Sequence, residues 1–215
     1  MASLMRALRP QLHGFKAELA ELGYARENQF VSRVATGTNS VFIATKQHAV
    51  LGDLAPPAFD PEAHAETNFL HVRLPGADLE IVGLRAPAYA EQRATQMKRQ
   101  YWDSIHGIME QARGRRILFI GDMNLDPFNG DQTQFQPIAH PQVTGYHIPK
   151  PRGTWSYQKY GAEVGSAIDH AFISDSVKAK YAMYIHAYEG ITIEGGPKAD
   201  VLSDHAVLIV ALEAG

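Results

Sequence analysis

Hydrophobic and polar positions recur along the first half of this chain with two different periods. Leucines and a phenylalanine spaced three or four residues apart predict an amphipathic helix over residues 3–23, ending at Gly23. A similar pattern predicts a second helix over residues 91–113, ending at Gly114. Between the helices, apolar segments predict strands over residues 40–45, 67–74 and 79–85. The last two flank the turn-rich segment PGAD and should form a hairpin.

The second half of the chain predicts further strands. The run Ile-Leu-Phe-Ile at residues 117–120 has no polar alternation, which favours a strand covered on both faces and ended by Gly121. A long polar loop over residues 125–142 follows. Four more strands are predicted over residues 153–160, 166–174, 180–188 and 205–212. Strands, a helix and then more strands favour stacked sheets covered by helices, in one domain spanning residues 1–215.

Composition narrows the class of protein. With 215 residues and 45% hydrophobic content, the chain is long enough to bury one substantial core. No segment reaches the roughly 18 apolar residues of a membrane span, and no signal-peptide core is evident, so we expect a soluble, cytoplasmic protein. The absence of cysteine excludes disulfides and cysteine-ligated zinc. A net charge of -3 means that any contact with nucleic acid needs a local basic patch.

Polar residues interrupt or follow apolar strands at three places. The three clusters are Asp122 with Asn124, Asp169 with His170, and Asp204 with His205. At the mouth of a buried strand the scaffold is rigid and side chains still reach solvent, which is where chemistry is usually placed. Each cluster read alone is better explained by turn, capping or surface roles. The ordered set of three is much rarer by chance, and therefore indicates a site.

The same segments resemble the endonuclease/exonuclease/phosphatase superfamily, which includes exonuclease III, pancreatic deoxyribonuclease, neutral sphingomyelinases and inositol polyphosphate phosphatases. The matching segments are GDMN at 121–124, SAIDHAFIS at 166–174 and LSDH at 202–205, with GTWSY at 153–157 similar to the family's Thr-Trp element. The resemblance runs from about residue 12 to residue 212. It implies an α/β fold in which two packed mixed β-sheets are flanked by helices, a four-layer α/β/β/α sandwich.

The resemblance also implies roles in hydrolysis of a phosphodiester by in-line attack of water. Asp122 would orient or deprotonate the water, and His205, held by Asp169, would donate to a nonbridging phosphate oxygen. Asn124 would offer its amide to phosphate and its carbonyl to a metal ion. Asp122, Asn124 and Asp204 are the expected metal ligands, and their hard oxygen atoms favour Mg²⁺ or Mn²⁺. His170 would point to the opposite face of its sheet and serve the structure.

The sequence departs from the family pattern at its start. Family members begin with a strand bearing an Asn and a second strand ending in a Glu that binds metal, and neither is recognisable here. The resemblance therefore implies that this chain begins inside the family domain. Glu18, Glu21 and Glu27 follow no buried strand and are not assigned as the missing ligand. Loss of that carboxylate should weaken Mg²⁺ binding, and loss of inner strands should expose neighbouring strand edges.

Three residues are predicted to contact substrate: Arg85, Asn124 and Trp155. Arg85 stands where family nucleases place a phosphate-contacting Tyr or His, although a surface arginine at a strand end is the alternative. Trp155 lies in the stretch of residues 146–160, where cations and aromatic residues mix. That mixture suits a groove that follows phosphates and stacks bases, or an edge strand with aromatic cross-strand pairs.

The sequence thus predicts a metal-dependent phosphodiester hydrolase, with nuclease as the leading class and nucleic acid as the leading partner. Activity should be weak without the family Glu. A noncatalytic phosphate-binding or scaffold domain of the same fold is one alternative. A phosphatase acting on a lipid or sugar phosphate is another. The sequence leaves the oligomeric state open.

Overall fold

A computed structural model of the protein describes residues 9–34, 40–57, 64–87, 94–128, 145–195, 197–198 and 200–213. The helices are α1 (Arg9–Glu21), α2 (His64–Thr67) and α3 (Ala94–Gln111). The strands are β1 (Gln29–Val31), β2 (Phe42–Ala44), β3 (Val50–Leu51), β4 (Phe69–Leu74), β5 (Leu79–Arg85), β6 (Ile117–Asp122), β7 (Tyr146–His147), β8 (Asp169–Ser174), β9 (Ala179–Ile185), β10 (Ala187–Tyr188), β11 (Ile191–Thr192) and β12 (Val207–Leu212). Both long helices were predicted, and the described parts of each match.

A six-stranded mixed sheet forms the centre of the molecule, in the order β3-β4-β5-β6-β8-β7. The predicted hairpin is confirmed, because β4 and β5 pair antiparallel across the turn Pro75–Ala77. β5 and β6 pair in parallel, and α3 lies between them in the chain. β6 therefore has a partner strand on each edge.

The two faces of this sheet bury different side chains because successive residues of a strand point to opposite faces. On one face, Ile117 and Phe119 of β6 pack against α3 in the largest apolar cluster, which includes Trp102 and Ile105. On the other face, Leu118 packs with residues of β9 and β12. β6 is thus covered on both sides, which explains why it carries no polar alternation.

A second β layer covers that other face in two separate parts. One part is the antiparallel pair β1–β2. Its Phe42 packs edge-on against Phe15 of α1, with 5.7 Å between the two ring centroids. The other part is the antiparallel pair β9–β12. The layers therefore run α3, central sheet, the two small sheets and α1, in agreement with the predicted α/β/β/α sandwich. Within the described residues, each strand of these two small sheets has a single partner strand.

Several sequence-based expectations need correction. Residues 153–160 form no strand and make only isolated bridges, because Tyr157 pairs with Ser166 on one side and His205 on the other. Gly121 lies inside β6 instead of ending it. The segment 180–188 is divided between β9 and β10, with a break at His186. Residues 129–142 of the predicted long loop lie outside the described residues. No helix in the described part is long and apolar enough to span a membrane.

Candidate functional site

A cavity of about 570 Å³ lies where the two small sheets meet the central sheet. Its lining combines an apolar wall from α1 and β2 with a polar end, and β12 also contributes. The polar end contains five of the residues singled out in the sequence: Arg85, Asp122, Asp169, Asp204 and His205. Residues from four distant parts of the chain are therefore brought to one place.

Asp122 is held at the end of β6 between two neighbouring strands. The parallel register places it beside Arg85, with 3.5 Å between Arg85 Nε and Asp122 Oδ2, and the antiparallel register places it opposite Asp169. Its side chain is only 12% exposed. Burial, and secondly the charge of Asp169, raises the pKa of Asp122 to about 6, although His205, the Asn124 N–H and Arg85 partly oppose this. Near neutral pH this carboxylate is a stronger base than an ordinary aspartate.

Gly121 allows this close packing. Its φ is +149°, a conformation that other residues rarely adopt. A Cβ atom at this position would lie 1.9 Å from the carbonyl oxygen of Leu84 on β5. The glycine therefore lets the end of β6 approach β5 closely immediately before Asp122.

Asn124 orients Asp122. Its backbone N–H donates to Asp122 Oδ1 at 2.9 Å, with Asn124 in the left-handed conformation at φ +47°. Its side-chain nitrogen donates to Asp122 Oδ2 at 3.3 Å and to the carbonyl oxygen of Ala86. Both amide hydrogens are thus directed at protein acceptors, so the expected donation from Asn124 to phosphate does not fit this geometry. The amide oxygen is the atom that remains to face a ligand.

His205 and Asp169 form the closest charged pair at the site, with 2.8 Å between His205 Nδ1 and Asp169 Oδ2. The ring of Tyr157 lies 5.0 Å from the His205 ring, centroid to centroid. Burial lowers the pKa of His205, but the hydrogen bond and charge of Asp169, together with Asp122 and Asp204, outweigh burial and leave this pKa above its ordinary value. His205 is therefore biased toward the imidazolium.

Two serines that the sequence analysis did not assign hold this pair in place. Ser156 Oγ accepts the backbone N–H groups of Ile168 at 3.0 Å and Asp169 at 2.9 Å. Ser203 Oγ accepts the N–H of His205 at 2.9 Å. Each serine lies within a quoted motif, GTWSY or LSDH, so adjacency to a motif was the available signal. The role of Ser156 was not predicted because the loop that carries it is separated in sequence from Ile168 and Asp169, the residues it contacts.

His170 has the structural role that was predicted for it. It is fully buried, its Nε2 donates to the carbonyl oxygen of Ala167 at 2.7 Å, and its ring contacts that of Phe128. Burial lowers the pKa of His170, which keeps the ring neutral.

Trp155 does not reach the cavity. Its indole packs against Gly165 and contacts His186 edge-on at 5.8 Å, and it is not among the residues that line the polar end. Trp155 therefore packs outside this cavity, and its contact with substrate stays a prediction. Tyr146 likewise packs in the core, against Phe119, and donates its hydroxyl to the Met109 carbonyl. Of residues 146–160, Tyr160 lines the cavity.

The polar end offers oxygen atoms suited to a divalent cation. Asp122 and Asp204 line the polar end and supply carboxylate oxygens, which Mg²⁺ prefers. Asn124 is not among the lining residues, but it follows Asp122 closely and its amide oxygen is a further possible ligand. The donor set therefore fits such an ion. Within the described residues, however, no three carboxylate or imidazole ligand atoms at this cavity lie within 4.8 Å of one another. Glu18, Glu21 and Glu27 are exposed and do not line it.

A different cluster, formed by Asp53, His71 and Glu80, does bring three ligand atoms within 4.8 Å. His71 is already fully used, because its Nδ1 accepts the Leu54 N–H at 3.0 Å and its Nε2 donates to Glu80 at 2.8 Å. Arg115 lies 2.6 Å from Asp53 and 3.2 Å from Glu80. A guanidinium thus occupies the place of a cation, and we interpret this cluster as structural.

Comparison with known proteins places the chain in a sequence family. The model of the Endonuclease/Exonuclease/phosphatase family matches residues 19–205. A deoxyribonuclease of Thioalkalivibrio sp. (strain K90mix) is 27% identical over 116 residues, which are 54% of this chain and 32% of that protein. The chain therefore matches about a third of the length of this relative.

Solved structures show the same fold. The 3'-5' exonuclease NExo from Neisseria meningitidis aligns with a TM-score of 0.65 and 17% identity, over 92% of this chain and 83% of NExo. A NExo structure described as a 3' phosphatase bound to a product DNA hairpin aligns with a TM-score of 0.63 and 15% identity, over 92% of this chain and 82% of that one. A protein from Bacteroides vulgatus described as an endonuclease/exonuclease/phosphatase aligns with a TM-score of 0.57 and 15% identity, over 97% of this chain and 82% of that one.

The family match covers most of the chain and includes every residue of the polar end. Together with the sandwich of two β layers, it identifies this chain as a member of the endonuclease/exonuclease/phosphatase family.

Proposed function

We propose that this protein is a divalent-metal-dependent phosphodiester hydrolase that cleaves nucleic acid. The observation that carries the proposal is the Asp169–His205 pair, 2.8 Å apart, in one cavity with the buried Asp122 and the cation Arg85. A base, an imidazolium and a guanidinium around one space are the groups that in-line attack on phosphorus requires. The DNA-bound NExo structure and the related deoxyribonuclease support nucleic acid as the substrate class.

Each group has a distinct task in the proposed reaction. Asp122, with its raised pKa, accepts a proton from the attacking water while Asn124 fixes its orientation. His205 donates a hydrogen bond to a nonbridging phosphate oxygen, where negative charge accumulates, and Asp169 holds the ring for this contact. Arg85, whose side chain is 38% exposed, binds a second phosphate oxygen.

Asp204, Asp122 and the amide oxygen of Asn124 would hold Mg²⁺ or Mn²⁺. When bound, the ion neutralises phosphate charge and stabilises the leaving oxygen. Because the carboxylate and imidazole ligand atoms described here do not converge, we expect metal affinity to be low and hydrolysis to need millimolar metal.

The proposal is tested by titrating Mg²⁺ and Mn²⁺ with single-stranded DNA, double-stranded DNA, RNA and an aryl phosphodiester. Asp122→Ala and His205→Ala should abolish hydrolysis. Asp175→Ala and His48→Ala change exposed residues outside the cavity lining and should leave it unaltered. Hydrolysis that survives both site substitutions would refute the proposal, because it would come from a contaminant.

A noncatalytic phosphate-binding domain is the second candidate. It is favoured because, in the part of the chain that the structure describes, no three carboxylate or imidazole ligands converge at the cavity. The two candidates differ in turnover and not in binding. If the protein binds oligonucleotides in a manner that depends on Arg85 and His205 yet releases no product at any metal concentration, the noncatalytic function is the correct one.

A further inference from the structure

Tyr160 is an aromatic residue at the polar end that the proposed reaction does not use. It lines the cavity together with Asp204 and His205, and 37% of it is exposed. Leu202, which lines the same cavity, is 60% exposed. Exposed apolar side chains scattered singly need no explanation, but two at the rim of one polar cavity form a surface for a ligand.

The backbone holds Tyr160 firmly next to the site. Two residues before it, the N–H of Gln158 donates to the carbonyl oxygen of Asp204 at 2.9 Å. The Gln158 side chain then donates to the carbonyl oxygen of Ala162 at 2.7 Å, across the turn that carries Tyr160. The segment is also tied by the bond from the Ala206 N–H to the Ser156 carbonyl, at 2.7 Å. The aromatic ring is thus fixed to the same segment that carries His205.

Positive charge accompanies this ring. Lys198 Nζ lies over one face of the Tyr160 ring, 5.8 Å from its centroid, and the neighbouring Lys159 is exposed. Three of the five residues at the polar end are acidic, Asp122, Asp169 and Asp204, and Lys198 places a cation beside Tyr160 at the same cavity. An aromatic face with flanking cations matches a nucleobase joined to phosphates, because the ring stacks and the cations contact the backbone.

We propose that Tyr160 stacks on an unpaired nucleobase beside the scissile phosphate, with Leu202 against the same base and Lys198 near the adjoining phosphate. The inference rests on the proposed function for the choice of nucleic acid. A base inside a duplex already stacks on its neighbours and cannot also lie on Tyr160 without being unpaired. The protein therefore prefers single-stranded nucleic acid, or an unpaired end, over an intact duplex.

The test measures binding, without turnover, in EDTA. Fluorescence anisotropy of a labelled 12-residue oligothymidylate gives the Kd of the wild-type protein and of three variants. Tyr160→Ala should raise Kd by about tenfold, since stacking on an aromatic residue typically contributes that much per base, whereas Tyr160→Phe should stay within about twofold. Tyr181→Ala is the matched control, because Tyr181 on β9 is 39% exposed and does not line the cavity.

Two further probes identify what the ring contacts. A deoxyribose-phosphate oligomer without bases should bind more weakly than oligothymidylate and should be insensitive to Tyr160→Ala. A blunt DNA duplex should likewise be insensitive to it. If Tyr160→Ala lost as much affinity for the oligomer without bases as for oligothymidylate, the inference would be overturned, because Tyr160 would then contact the sugar-phosphate backbone.

Other outcomes also overturn it. Unchanged oligothymidylate binding in Tyr160→Ala does so, and so does the absence of binding by the wild-type protein. Tyr160-dependent binding to vesicles of equal parts phosphatidylserine and phosphatidylcholine, without oligonucleotide binding, would assign the surface to lipid instead. Failure of the proposed function is separate from these results, since it appears as hydrolysis independent of Asp122 and His205.

Discussion

Two clusters in this protein combine a histidine with carboxylates and an arginine, and they lie at opposite ends of the same pair of strands. Glu80 faces Ile117 at the start of the β5–β6 register, and Arg85 faces Asp122 at its end. In the first cluster, Arg115 bridges Asp53 and Glu80 around a His71 whose two ring nitrogens both have protein partners. In the second, three carboxylates share a cavity with one arginine and one histidine.

The difference shows how charge balance separates a structural cluster from a functional one. Arg115 holds the pKa of Asp53 down, at about 2, and burial lowers the pKa of His71, so the first cluster keeps one protonation state around neutral pH. At the second, burial and Asp169 raise the pKa of Asp122 to about 6. A carboxylate with a raised pKa that faces a cavity is a candidate for proton transfer, which is the role proposed for Asp122. Residue type alone would have ranked the two clusters equally.

The strongest expected contrast comes from replacing the two histidines. His205→Gln should lower kcat for oligonucleotide hydrolysis by about 10²–10³-fold, as loss of one hydrogen-bond donor to a developing oxyanion typically does. His71→Gln should leave kcat of the folded protein unchanged, because His71 lies in the other cluster. Rates are measured at saturating Mn²⁺, and circular dichroism establishes that each variant is folded. Equal losses of kcat in the two folded variants would abolish the distinction between the clusters.

Replacing a carboxylate by its neutral amide should change the free energy of unfolding in opposite directions in the two clusters. The folded-state pKa of Asp122 is raised from 3.8 to about 6, so its ionisation costs stability as pH rises through that interval. Asp122→Asn removes this cost and should stabilise the protein by about 2 kcal/mol at pH 8, while hydrolysis is lost. At pH 4 the gain should nearly vanish. Urea unfolding at both pH values measures this.

Glu80→Gln is the matched change in the structural cluster. Glu80 bonds to His71 and Arg115, and a neutral amide weakens both contacts. We expect a loss of about 1–2 kcal/mol at pH 8 in the same urea titration, typical of a hydrogen bond to a charged group. Stabilisation by Glu80→Gln, or destabilisation by Asp122→Asn, would contradict the conclusion that charges are balanced in the first cluster and unbalanced in the second.

A smaller effect is expected in the dependence of rate on pH. The rate should rise as Asp122 loses its proton, at or below about pH 6 because a metal ion at this carboxylate lowers its pKa from the metal-free value. The rate should fall as His205 loses its proton above the ordinary pKa of histidine, because Asp169 raises that pKa. Since the two groups interact, the two limbs belong to the coupled pair. Measurement of kcat/KM between pH 4.5 and 9 should give a bell of about tenfold height. In Asp122→Asn, any residual activity should lack the acidic limb, and persistence of that limb would exclude Asp122 as its source.

The sequence predicted the parts of this protein that follow from local periodicity and from motif order. Unbroken or alternating apolar runs located β4, β5, β6, β8 and β12, because burial on a sheet face imposes those patterns. The motifs indicated Asp122, Asp169, Asp204 and His205, and the structure lines one cavity with all four. Their chemical roles remain predictions.

What the sequence did not predict depends on directions that only the folded chain defines. The left-handed conformation of Asn124 turns its amide toward Asp122 and Ala86. The sequence gives no sign that both amide hydrogens already have acceptors within the protein. Trp155 and Tyr160 lie five residues apart in one aromatic stretch, yet one packs on Gly165 and the other faces the cavity. Composition cannot distinguish such neighbours.

The contact between Gly121 and Leu84 has a consequence for how the site meets a substrate. The Leu84 carbonyl oxygen occupies the space where a Cβ at residue 121 would stand, so the ends of β5 and β6 can lie this close only with glycine there. The spacing between the carboxylate of Asp122 and the guanidinium of Arg85, which follow directly on the two strands, therefore depends on an atom that residue 121 lacks.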